Sequence, residues 1–325
     1  MNIESYILHL LSSPNGNSCV KASEALSVSH DQVTRLLNNS DHSGRDLYAK
    51  AAPNLILEGG TLSLDDSVID KPYSDLRTNG LVGYHWSGKH HKSVLGICLV
   101  ALIYTDVNGQ TLPVHFRIFD ANGGQSKHQI LRQMIRELIA WGLKPARFTA
   151  DSWYAALENL KFLRNLEISF QIGLRSNRTV SSEAGKYEQV GNIEDIPESG
   201  LVTHLKGFDF VKVFRTVSSD GDVRHYAVYG PTKADLENYD YEEFSAVKQQ
   251  HWQIEHMFRV LKQVCNLERF FVRKSRAVTN HIYAALSAFR RLTIWVKNEL
   301  FHSMYALRKA IFIQAQRAFI SNMIA

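Results

Sequence analysis

Apolar residues divide the chain into stretches with different periods. Strand patterns occupy "TLSLDDSV" from residue 61, "SVLGICLVALIYTD" from 93 and "QTLPVHFRIF" from 110. The last two are joined through Asn108-Gly109, a pair suited to the positive φ of a tight hairpin, so an antiparallel start to a sheet is predicted. In "SKHQILRQMIRELIAWG" the period becomes helical: Ser126 caps the start, Gly142 ends it, and Ile130, Met134, Ile135 and Leu138 share the inward face. Next come "ARFTAD" as a strand, "SWYAALENLKFLRNL" as a helix and "ISFQIGL" as a strand. Antiparallel strands followed by alternating helix and strand predict an α/β fold, a mixed sheet flanked by helices.

Three further regions surround this body. In the first, 1–55, Ala22, Ala25 and Leu26 suggest one short helix. Ser29 and Gln32 form a capping box for a second, whose buried side is Val33, Leu36 and Leu37. The pair reads as a helix-turn-helix-like DNA-binding unit, with Gln32, Thr34 and Arg35 projecting from its second helix and Arg35 equally able to hold a phosphate. Residues 176–244 form a polar insertion with strand candidates "LVTHLKG", "DFVKVFRTV" and "RHYAVYG" and an Asp220-Gly221 turn. Residues 275–325 form a helical tail rich in aromatic and basic residues, leaving 56–175 plus 245–274 as the central domain.

The helix "QQHWQIEHMFRVLKQ" carries two faces. Ile254, Met257, Phe258, Leu261 and Cys265 have the spacing of a core-facing stripe, whereas Lys248, His251, Glu255, Arg259 and Lys262 line a neighbouring face with one acid among cations. A solvated Glu255/Arg259 pair explains that face as well as a site does, so partners elsewhere must decide. Asp65 and Asp66 lie on the first strand and Asp151 ends the strand "ARFTAD". Strand ends are where sites gather, although Asp151 can equally be an N-cap over Ser152 and Trp153.

Composition narrows the classes. A chain of 325 residues that is 45% hydrophobic can bury a sizeable core, and its longest apolar run, "GICLVALIY", is too short to span a membrane. Without the basic-then-apolar layout of a signal peptide, and with three scattered cysteines, a cytoplasmic protein with reduced, inert thiols is expected. The net charge of +5 and pI near 9.0 permit a polyanionic partner. In "GYHWSGKHHKS", His85, His90 and His91 lack a second Cys/His pair for zinc, and the stretch reads as a basic hairpin or loop with Lys89 and Lys92 facing nucleic acid.

An Asp on the first strand, an Asp after the fourth and a Glu on a later helix resemble the ribonuclease H-like DDE transposases of bacterial insertion sequences, in particular the insertion sequence four branch with its β insertion ahead of the Glu helix. The resemblance spans roughly residues 60 to 270 and rests on "LSLDDSVIDKPYSD", "VLGICLVALIYTDVNGQTLPVHFRIFD", "TADSWYAALENLKFL" and "HWQIEHMFRVLKQ". The D-x-[ST] start of the first strand favours Asp65 over Asp66. In the family's Tyr-x2-Arg-x3-Glu-x6-Lys pattern, Glu255 and Lys262 match, while Lys248 stands for the Tyr and His251 for the Arg.

The resemblance implies Asp65, Asp151 and Glu255 as catalytic ligands of two Mg²⁺ or Mn²⁺ ions, which prefer oxygen donors. It also implies DNA as partner, held by Lys248, protonated His251, Arg259 and Lys262, with Trp153 and Trp252 placed to stack on an unpaired base. A homodimer on DNA in a bacterial, nucleoid-associated setting is expected. The rivals are a DNA-binding regulator or decayed transposase without catalysis, and a metal-dependent nuclease that cleaves but never joins.

Overall fold

The computed structural model describes residues 1–13, 18–75, 80–88, 90–120 and 122–324. Four short helices lead the chain: α1 (Ile3–Ser12), α2 (Cys19–Leu26), α3 (His30–Asn39) and α4 (Gly44–Ala51). The predicted capping box is present, with the Ser29 hydroxyl accepting from the Gln32 amide and the Gln32 side chain accepting from the Ser29 amide. Strands β1 (Thr61–Asp70), β2 (Gly83–Ser87), β3 (Lys92–Thr105) and β4 (Thr111–Phe119) follow, then α5 (Lys127–Ala140), β5 (Arg147–Ala150), α6 (Leu157–Asn165) and β6 (Ser169–Leu174). The insertion supplies β7 (Thr179–Glu183), β8 (Lys186–Gln189), β9 (Leu201–Leu205), β10 (Phe210–Val217), β11 (Val223–Tyr229) and α7 (Lys233–Asn238). Three long helices complete the chain: α8 (Tyr241–Gln263), α9 (Ser275–Lys297) and α10 (Ala306–Ile324).

The central strands run in the order β4-β3-β1-β5-β6, with β3 antiparallel to both neighbours and β1, β5 and β6 mutually parallel. Helices cover both faces, so the arrangement is the ribonuclease H-like mixed sheet that the sequence predicts. The insertion does not stand apart from this sheet. Its β11 pairs antiparallel with β6, and β10, β9, β7 and β8 extend it outward.

Alternation along β1 assigns its two faces to two cores. Leu62 and Leu64 enter the core beneath α5 and α6, whereas Ile69 joins the core formed by α1, α3, α8 and α9. The α8 stripe predicted from the sequence, Ile254, Met257, Phe258 and Leu261, is buried there together with Cys265 just beyond the helix. Each fully buried aliphatic side chain of this kind contributes about 1.5–3 kcal/mol. Two buried asparagines lock the leading helices onto this core. Asn266 donates to the carbonyls of Leu10 and Ser13, and Asn280 on α9 donates to those of Leu37 and Ser40, satisfying carbonyls at the ends of α1 and α3.

The structure departs from the sequence reading in two places. The stretch after Asp151 is not one helix: a 3-10 turn over Ser152–Tyr154 comes first, and α6 starts only at Leu157. The Tyr154 side chain is drawn inward to β1, which pulls the turn out of helical register. Strands β7 and β8 and helix α7 were not anticipated, since all are short and largely polar. The "GYHWSGKHHKS" stretch is a hairpin, with β2 paired antiparallel to the start of β3. None of the described helices is long and apolar enough to cross a membrane.

Candidate active site

Register brings two of the predicted carboxylates together. The last rung of the parallel β1/β5 ladder pairs Leu64 with Ala150, so Asp65 and Asp151 are each the next residue on adjacent chains. Neighbouring strands lie about 4.8 Å apart. By alternation Asp65 shares the face of Ile69, the face covered by α8, and α8 packs against β1, β5 and β6. Glu255 sits on the exposed side of that helix. Asp151 also acts as the anticipated N-cap, its Oδ1 accepting from the Trp153 amide at 3.0 Å. A glycine permits this close packing: a Cβ on Gly173 of β6 would stand 2.7 Å from the Ser152 nitrogen. Any side chain there would push the Asp151 turn outward.

The electrostatics identify the same group of acids. Burial, and after it the negative charges of Asp66, Asp151 and Glu255, drive the Asp65 carboxyl well above its ordinary range. Asp151 is raised by burial and by Asp66, against the opposing pull of the Trp153 and Tyr154 amides and of Lys127. Among the described residues no cation forms an ion pair with Asp65, Asp151 or Glu255. Asp66 differs in this respect. Its side chain turns to the other face of β1, where Lys127 Nζ donates to it at 2.6 Å and the Tyr154 hydroxyl at 2.7 Å. Those bonds consume Asp66, whereas the side chain of Asp65 accepts only from the Asp66 amide, at 2.7 Å, and has no counter-charge among the described residues.

Asp151 and Glu255 line one cleft of about 700 Å³, which also takes in Lys248, His251 and Trp252 from α8. Its opposite wall carries Arg175, just past β6, and Arg224 on β11. The sequence reading did not single out these two arginines. "GLRSNR" after a parallel strand was the available signal for Arg175, while Arg224 reaches the cleft only because the insertion joins the sheet. His251 requires a correction. Burial pushes its imidazole down to about 4, so it is neutral near pH 7 and not the protonated donor expected from the sequence.

The other predicted residues are distributed more widely. Trp252 and Trp153 are both substantially exposed, at 43% and 52%. The guanidinium of Arg259 lies over the Trp252 ring and that of Arg175 over the Trp153 ring, at 5.8 and 5.3 Å. Lys262 points inward, donating to the Val68 carbonyl and pairing with Glu268 at 3.0 Å. Arg35 is exposed on α3 and Lys92 at the start of β3, and neither lines the cleft. Lys89 lies outside the described residues. Within the "KPY" motif, Lys71 braces the structure: its ammonium donates to the carbonyls of Glu268 and Phe270 and sits 3.5 Å from the centre of the Phe270 ring.

Among the described residues, no group of three or more His, Cys, Asp and Glu side chains forms a ready-made metal cage. The donor set nonetheless fits a hard divalent cation. Its members are carboxylates, neither Asp65 nor its neighbours Asp151 and Glu255 form an ion pair with a cation among the described residues, and Mg²⁺ or Mn²⁺ is held by one or two carboxylates while keeping several waters. Asp65 and Asp151 would supply the inner oxygens and Glu255 one from the rim.

Comparisons with known proteins bear on the family and the fold. A family model described as "Transposase DDE domain" matches residues 61–289, running from β1 into α9. Among solved structures, the chain is similar to piggyBac transposase in a synaptic complex with hairpin DNA, at a TM-score of 0.58 and 12% identity, over 99% of this chain and 71% of that one. No curated protein matches.

Proposed function

Since the chain belongs to the transposase DDE domain family, we propose that it is a DNA transposase of the bacterial insertion-sequence type, of the insertion sequence four branch, cutting at its element's terminal repeats and transferring the 3′ ends to target DNA. The observation that supports this reading is the adjacency of Asp65 and Asp151 across the β1/β5 ladder, with the negative charge of Glu255 on α8 also acting on Asp65. When bound, two Mg²⁺ or Mn²⁺ ions would activate the attacking water or 3′-hydroxyl and stabilise the leaving oxygen at the phosphodiester. Asp65 lies within β1 at the end of its pairing with β5, Asp151 follows β5 directly, and Glu255 approaches from α8.

Lys248, Arg175 and Arg224 turn a positive rim toward a DNA backbone lying in the cleft. Arg259 adds a contact outside it, and Lys262 reaches a phosphate only by leaving Glu268. His251 donates as a neutral imidazole. Trp252 and Trp153, each backed by a guanidinium, offer flat surfaces for an unpaired base at a cleaved end. Arg35 on the leading helices and the Lys89/Lys92 hairpin extend the DNA contact beyond the cleft. Joining two ends requires two active sites on one DNA assembly, hence a homodimer formed on DNA in the bacterial cytoplasm, at the nucleoid.

The test is nicking of a supercoiled plasmid carrying the element's ends, with Mg²⁺ or Mn²⁺, by the wild type and by Asp151→Asn. Cleaved and joined products from the wild type and neither from the variant support the reading. A nuclease would cleave without joining, and a regulator would give the same blank for both proteins.

A further inference from the structure

On the back of β1, away from the cleft, Asp66 gathers two segments distant in sequence. Its Oδ2 accepts from Lys127 Nζ at the start of α5 at 2.6 Å, and its Oδ1 accepts from the Tyr154 hydroxyl at 2.7 Å. Cys98 Sγ on β3 approaches Oδ2 at 3.4 Å. Tyr154 lies in the 3-10 turn that Asp151 opens and is fully buried. The turn is secured from behind as well: buried Asn159 donates to the Tyr154 carbonyl at 3.0 Å and is itself held by Arg132 at 2.8 Å.

This arrangement addresses a physical problem. Asp65 and Asp151 carry like charges side by side on adjacent strands, and Asp151 sits beyond the last β1/β5 rung, where no ladder bond holds it. Repulsion would spread them. The Tyr154–Asp66 bond ties the Asp151 turn to the residue after Asp65, and Lys127 offsets the charge that Asp66 brings to the back of the strand. We infer that Asp66, Lys127 and Tyr154 form a clamp that fixes the separation of Asp65 and Asp151, which makes Asp66 and Tyr154 positioning residues for divalent-cation binding. The inference rests on the metal-dependent reading above.

Tyr154→Phe removes one hydroxyl and keeps the ring, and Asp66→Asn removes the ion pair while keeping an acceptor. Mn²⁺ binding is followed by loss of the free-ion paramagnetic signal, and plasmid nicking is followed against Mn²⁺ concentration. The clamp predicts about 10-fold weaker Mn²⁺ binding for both variants, the range expected when the partner of a metal ligand is lost. The Mn²⁺ concentration for half-maximal nicking should rise by the same factor, with nicking at saturating Mn²⁺ within about threefold of wild type. Should Asp66→Asn fail to fold, Tyr154→Phe carries the test. Variants that bind Mn²⁺ as tightly as the wild type, with only a lower melting temperature, overturn the clamp and leave the metal reading intact. A wild type that binds no Mn²⁺, like its Asp65→Asn control, overturns the metal reading and the clamp together.

Discussion

Two consecutive aspartates on β1 show what a strand's alternation does to identical chemistry. Asp66 faces α5 and α6 and has its charge met by Lys127 and its other oxygen met by Tyr154. Asp65 faces α8, lies beside Asp151, and has no cation partner among the described residues. A carboxylate with its counter-charge is architecture; one without stores unfavourable charge that a cation, and a phosphodiester brought with it, can relieve. One residue of register separates the two roles.

The sharpest way to break this contrast is to neutralise each acid in turn. Asp65→Asn, Asp151→Asn and Glu255→Gln should each lower plasmid nicking by at least about 10³-fold at saturating metal, in keeping with loss of a metal-ion contribution worth several kcal/mol. Asp66→Asn should stay within a few-fold under the same conditions. Equal losses at Asp65 and Asp66 in such assays would erase the distinction between the faces.

Stability should move in the opposite sense. Asp65 has a folded-state pKa above its ordinary 3.8, so folding takes up a proton. The stabilisation is fully present below that value and lost as pH rises through the folded value. Without metal, melting curves should therefore find Asp65→Asn more stable than wild type at pH 8, with the gap closing toward pH 4. A gap that widens on acidification would contradict the assignment.

Smaller effects sharpen the comparison. Gly173→Ala places a methyl against the Ser152 nitrogen and should cost about 1–3 kcal/mol by urea denaturation while reducing nicking, since the Asp151 turn must shift. An unchanged unfolding midpoint would mean that the turn yields freely. Lys248→Ala should reduce the salt dependence of DNA binding by roughly one phosphate's worth, a slope change near 0.9, read from affinity against salt concentration. His251→Gln should leave that slope unchanged between pH 6 and 8, because burial keeps the imidazole neutral down to about 4. A slope that falls for His251→Gln at pH 6 would restore its charge.

Much of this was legible in the sequence where physics acts locally. The capping box at Ser29, the N-cap at Ser126, the Asn108-Gly109 hairpin and the α8 stripe were readable because each depends on a few neighbouring residues. Asp65, Asp151 and Glu255 could be nominated by spacing and by resemblance. Other features depend on sheet topology and were not readable. Arg224 reaches the cleft through β11 pairing with β6, and Lys262 is turned inward by Val68 and Glu268 from other segments. The break after Asp151 has the same origin, since it follows from a bond between Tyr154 and a residue 88 positions earlier. The short polar strands β7 and β8 carry too little apolar periodicity to declare themselves.

The most direct test of the account is anomalous scattering from Mn²⁺ in crystals of the protein with a DNA end. The account predicts a Mn²⁺ peak between the carboxylates of Asp65 and Asp151, on the α8 face of β1, with Glu255 turned toward it and Asp66 still bonded to Lys127. Mn²⁺ held by Asp66, or carboxylates of Asp65 and Asp151 that share no ion while DNA occupies the cleft, would contradict it.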